Sequence, residues 1–161
     1  MIKKFLTISA AAFCLCGSMS CNKDEDKKDT EKPSFDNTGA TPVEGGKYLP
    51  GDTIFVHQIF RDNEELGSFN IEIHNNFDGH SHSTETAKTI SKHGDHEHGD
   101  VENAWVFNQS YDIPSGQKVY TADLKIPIPE TIAEGDYHFM IRVTDKAGWQ
   151  EIKAVSLEIE D

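Results

Sequence analysis

From Tyr48 to the end of the chain, apolar and polar residues alternate with a period of two, in short runs divided by turn residues. Phe69, Ile71 and Ile73 alternate with Asn70, Glu72 and His74. Tyr120, Ala122, Leu124 and Ile126 alternate with Thr121, Asp123 and Lys125. Tyr137, Phe139, Ile141 and Val143 alternate with His138, Met140, Arg142 and Thr144. Ile54 to Phe60 is apolar on both faces, Trp105-Val106-Phe107 opens a further apolar stretch, and Val155, Leu157 and Ile159 close the chain. Side chains of a strand point alternately to opposite faces, so each run reads as a strand with one face turned to a core. Asp62-Asn63, Pro114-Ser115-Gly116, Pro127 with Pro129, Glu134-Gly135-Asp136 and Asp145-Lys146-Ala147-Gly148 supply the turns. No helical stripe competes with this pattern. Six or seven short strands with regular turns predict an all-β fold, a two-sheet antiparallel sandwich over residues 48–161.

One segment breaks the rhythm. Residues 75–104 carry little apolar content and exceed the usual length of a loop, so they are read as a long insertion. Five of the eight histidines fall inside it: His80, His82, His93, His96 and His98.

The ends of the chain read differently. Lys3 and Lys4, the apolar run Phe5 to Cys16 and the small residues Gly17, Ser18 and Ser20 have the layout of an export signal over residues 1–20. The run is too short to span a bilayer as a helix. A cut before Cys21 resembles the bacterial lipoprotein signal, in which that cysteine is acylated. Ser18 departs from the leucine typical of the pattern. Residues 21–47 are rich in charge and poor in apolar side chains, which predicts a solvated, acidic tether. Its Lys23-Asp24-Glu25-Asp26 start resembles the acidic tag of surface-exposed lipoproteins. The localisation this implies is the cell envelope, at the outer membrane.

The full chain has a formal net charge of −13, which becomes −15 when Lys3 and Lys4 leave with the signal. Such a surface repels nucleic acid and anionic membrane and attracts cations. Of the three cysteines, Cys14 and Cys16 lie in the signal and Cys21 at the cut. The folded part therefore has no disulfide, no zinc ribbon and no thiol redox pair.

Gly135 to Gly148 resembles the penultimate strand and turn of bacterial immunoglobulin-like domains. Gly51-Asp52-Thr53 to Asp62, followed by Leu66-Gly67-Ser68, resembles their second strand and its exit. The whole chain is similar to a family of bacterial lipoproteins that carry an immunoglobulin-like domain of unassigned function and a His-rich loop. The resemblance implies the fold and no activity.

The candidate chemistry lies in the imidazoles. Neutral imidazole is the commonest side-chain ligand for zinc, copper and nickel. His80 with His82, and His96 with His98, are His-x-His pairs whose rings share one face of an extended chain. His93 and His96 suit one face of a helical turn. His74 ends one strand and His138 begins another, both on outward faces. In an immunoglobulin-like sandwich those strands, the third and sixth, are antiparallel neighbours, which predicts His74 and His138 as adjacent or diagonal partners. His74, His80, His82 and His138 are the primary candidate ligands, and His93, His96 and His98 complete the site or form a second one. Asp78, Asp95, Glu97 and Asp100 are candidates to orient imidazoles. His57 falls on the second strand, in the opposite sheet, and is left out. Each histidine taken singly is more simply a solvated residue; their concentration makes the case. The ligand set suits zinc first, then copper(II) or nickel(II).

The leading reading is a lipid-anchored envelope protein that captures or buffers such an ion and passes it to an outer-membrane transporter. Alternative readings are an immunoglobulin-like adhesion or accessory module for a glycan or envelope protein, and a pH sensor built from clustered imidazoles. His96-Glu97-His98 is not the helical zinc-protease motif, and no nucleophile triad or phosphate loop is present, so an enzyme is the least favoured class.

Overall fold

A computed structural model describes residues 28–77 and 102–161. The described residues form eight strands and no helix, hence none long and apolar enough to cross a membrane. The strands are β1 (Ser34–Thr41), β2 (Gly46–Tyr48), β3 (Thr53–Arg61), β4 (Leu66–Asn75), β5 (Phe107–Asp112), β6 (Val119–Pro127), β7 (Gly135–Asp145) and β8 (Gln150–Ile159). One sheet has the order β1-β3-β6 and the other β2-β8-β7-β4-β5. They pack face to face as the expected all-β sandwich.

The period-two pattern accounts for the core. Ile54, Val56 and Phe60 of β3 and Ala122 and Ile126 of β6 are buried from the smaller sheet. Phe69, Ile71 and Ile73 of β4, Tyr137, Phe139, Ile141 and Val143 of β7 and Val155, Leu157 and Ile159 of β8 meet them from the larger one. Each fully buried aliphatic side chain contributes about 1.5–3 kcal/mol of apolar transfer. Phe69 lies 5.2 Å from Phe60 and stacks on Tyr111 at 4.8 Å, joining the two sheets to the edge strand β5.

The sandwich starts earlier than composition suggests. Residues 21–47 read as tether, yet β1 and most of β2 lie within them. β1 pairs antiparallel with β3, and β2 pairs parallel with β8. The larger sheet is therefore mixed, not purely antiparallel. The polar run Asp36-Asn37-Thr38 escapes hydrophobic reading because β1 is an edge strand held mainly by its backbone ladder. Its apolar anchor is Phe35, edge-on to Phe60 at 5.7 Å, and Arg61 donates to Asp36 Oδ2 from Nη2 at 2.8 Å. β5 begins at Phe107, so Trp105 and Val106 precede it.

A buried polar contact crosses the core. Gln58 is 2% exposed; its Nε2 donates to the Asp36 and Ile59 carbonyls, and its Oε1 accepts from Lys153 Nζ at 3.0 Å. Burial pushes the Lys153 ammonium below its ordinary range.

Candidate functional site

β4 and β7 are antiparallel neighbours in continuous register from Ser68 opposite Thr144 to Asn75 opposite Tyr137. Inward residues of this pair make the core. Outward residues form cross-strand rows: Asn70 with Arg142, Glu72 with Met140, and His74 with His138. The two imidazoles thus stand directly opposite each other at the end of β4 and the start of β7, the adjacency that the alternation predicts. Ser156 of β8 continues the row beyond His138.

Their rings are 5.5 Å apart between centres and nearly perpendicular. The two residues are not the solvated pair that outward positions suggest: His138 is 7% exposed, and the His74 side chain 18%. Glu72, one outward position before His74, places Oε1 3.2 Å from His74 Nδ1. A carboxylate beside the ring is placed to orient it.

On the inner face, the start of β7 is packed by Phe77 and Tyr137. Gly135 has φ of 133°, and a Cβ there would stand 2.7 Å from the Phe77 ring, so only glycine admits that ring. Phe77 packs edge-on against Tyr137 at 5.4 Å. Tyr137 is wholly buried, donates its hydroxyl to the Ala133 carbonyl at 2.7 Å, and accepts from Trp105 N–H at 3.4 Å. Burial pushes its phenol up from the ordinary value. The chain leaving β4 and the chain entering β5 are thereby held near the start of β7.

Two imidazoles bound to one tetrahedral zinc, with each nitrogen about 2.0–2.1 Å from the ion, hold their ring centres roughly 5 Å apart. The observed separation is close to that. His57 lies in the smaller sheet, its Nδ1 2.6 Å from Asp123 Oδ1, apart from the β4–β7 row. His80, His82, His93, His96 and His98 lie outside the described residues, as do Asp78, Asp95, Glu97, Asp100, Cys21 and the signal segment. The sequence reading did not single out Glu72. Its signal is the two-residue spacing from His74, which puts both on one face.

The described residues thus define a β-sandwich that carries an in-register imidazole pair on the outer face of its larger sheet. Residues 19–160 match the family described as Domain of unknown function (DUF4625), and the chain belongs to that family. Among curated proteins none matches the chain.

Proposed function

We propose that this protein captures or buffers a zinc-like transition-metal ion at the cell envelope. His74 and His138 are its fixed ligands. The remaining ligands come from the sequence that follows β4, His80 and His82 first, with His93, His96 and His98 completing that set or forming a weaker second one. The single observation that carries the reading is the in-register pair: two sheltered imidazoles on neighbouring strands, with ring centres at nearly the spacing one zinc requires. Glu72 acts as a positioning residue that fixes the His74 ring. Copper(II) and nickel(II) suit the same donors, in second place.

The export signal, Cys21 and the acidic stretch that follows it support attachment to the outer membrane by acylation of Cys21, with a transporter as the partner that would receive the ion. The net negative charge would enrich cations near the surface and keeps nucleic acid out of the reading. A role as binder and not as enzyme is proposed on the same donors, since His96-Glu97-His98 is not the helical zinc-protease motif.

The test is calorimetric titration of the full chain, free of any polyhistidine tag, with zinc, copper(II) and nickel(II). One tight stoichiometric site, lost when His74 and His138 are both replaced by alanine, is expected. Weak multi-site uptake that survives both replacements would sink the proposal and return attention to glycan or envelope-protein partners.

A further inference from the structure

The β4–β7 pair has a second chemical end. Leu66, at the start of β4, stands opposite Asp145, at the end of β7. Gly67 makes the close approach there possible, since a Cβ on it would meet the Thr144 and Asp145 carbonyl oxygens at 3.0 Å. Asp62 follows directly on β3, and Asp29 belongs to the chain that precedes β1. One carboxylate oxygen from each of Asp29, Asp62 and Asp145 lies within 4.8 Å of the other two.

Each carboxylate is held by one oxygen. Asp62 Oδ1 accepts the backbone N–H groups of Glu64 at 2.8 Å and Glu65 at 2.7 Å. Asp145 Oδ1 accepts the N–H of Trp149 at 2.8 Å. Asp29 Oδ1 accepts from the Glu31 N–H at 3.0 Å and from Asn63 Nδ2 at 3.1 Å. The Trp149 indole N–H donates to the Asp29 carbonyl at 3.1 Å and ties the leading segment to the β7–β8 turn.

The second oxygens are the unusual part. Asp62 Oδ2 and Asp145 Oδ2 are both buried and accept no hydrogen bond from the described residues. Asp145 as a whole is 4% exposed. No lysine or arginine of the described residues forms an ion pair with either. Buried carboxylate oxygens without a donor are costly, and three carboxylates in one place repel one another. A bound cation removes both penalties at once.

We propose that Asp29, Asp62 and Asp145 form a calcium site that fastens the segment before β1 to the β3–β4 and β7–β8 turns. The donor set is all oxygen, which selects a hard cation and disfavours the metals suited to His74 and His138. Three carboxylate oxygens within 4.8 Å of one another can reach one ion, and calcium's flexible coordination accepts such a set more readily than the strict octahedron of magnesium. This site is independent of the imidazole pair and does not rest on the function proposed for it.

Trp149 makes the site self-reporting. The full chain, stripped with chelator, is titrated with terbium under tryptophan excitation and with calcium in thermal melts. The expected results are sensitised terbium emission that calcium displaces, and a rise in melting temperature of roughly 4–11 °C at about 10 mM calcium. Asp145→Asn keeps the acceptor for the Trp149 N–H and removes the charge, so it should fold and weaken calcium at least tenfold. Asp62→Asn should do the same, while Trp149→Phe should remove most of the terbium signal. Replacing His74 and His138 by alanine should leave the calcium response unchanged. The proposal is overturned if calcium at about 10 mM, well above the about 0.1–1 mM dissociation constants of weak extracellular calcium modules, moves neither signal. It is equally overturned if both asparagine variants respond as the parent chain does.

Discussion

If His74 and His138 hold one ion, their contributions to metal-dependent stability must be coupled. Zinc bound only by the folded chain stabilises it by about 2.7 kcal/mol when free metal is a hundredfold above the dissociation constant. For a domain of this size that raises the melting temperature by roughly 8–11 °C. His138→Ala also has a metal-independent cost, because the ring is 7% exposed and packs against His74 at 5.5 Å. An aromatic contact of that kind is worth about 0.5–1.5 kcal/mol. Melts in chelator isolate this second effect, and the increment on adding zinc isolates the first. Each single alanine variant should lose most of the zinc increment, and the double variant should lose little beyond either single one. The coupling energy of that cycle should therefore approach the whole increment, about 2.7 kcal/mol. Zinc increments that survive in either single variant, or losses that simply add, would refute a shared ion. They would leave the pair as two packed histidines.

Three further outcomes test the frame around the site. Ile71 is wholly buried at the centre of β4, so Ile71→Ala should cost about 2–5 kcal/mol, read as a lower urea midpoint with an unchanged slope. Tyr137→Phe leaves the Ala133 carbonyl and Trp105 N–H without the hydroxyl and should cost about 1–3 kcal/mol in the same assay. Arg61 beside Asp36 lowers that carboxyl from 3.8 to about 2. A depressed carboxylate stabilises the fold above its unfolded value and loses the effect as pH falls through the folded one. Acid melts between pH 4 and pH 2 should therefore be flatter for Asp36→Asn than for the parent chain, and parallel curves would show that the Arg61 contact does not hold β1.

The core was legible because its alternation is regular. Phe69, Ile71 and Ile73, and Tyr137 through Val143, each show one apolar face, and both are central strands with a buried inner surface. The opposition of His74 and His138 followed from the same alternation joined to the neighbour relation of two strands. What was missed has a different physical basis. β1 and β2 are edge strands whose stability comes from backbone pairing and a few anchors, such as Phe35 and Pro33, and not from a repeating apolar face. The shelter of His138 depends on residues far along the chain, which no local pattern encodes. Asp62 and Asp145 were read as turn residues, and that reading holds, since both accept backbone N–H groups in turns. The role it leaves unexamined belongs to the other oxygen of each carboxylate, and its burial is a three-dimensional fact.

The two ends of the β4–β7 pair bear on how the protein would behave with both metals present. Leu66 and His74 are eight positions apart on β4, so about 26 Å of strand separates the acidic end from the imidazole end. Across that distance charges near the surface are largely screened at physiological ionic strength. Between them runs the rigid central ladder of the sheet, with Ile71, Ile73, Phe139 and Ile141 locked in the core. A strand so packed does not deform smoothly, so an ion at one end has no evident way to alter the geometry of the other. The zinc and calcium increments should then add, and the chemistry separates them again, since imidazole favours borderline transition metals and carboxylate oxygen favours hard ions. On this view the calcium end governs how the leading segment is fixed to the sandwich. The histidine end would govern what the sandwich carries.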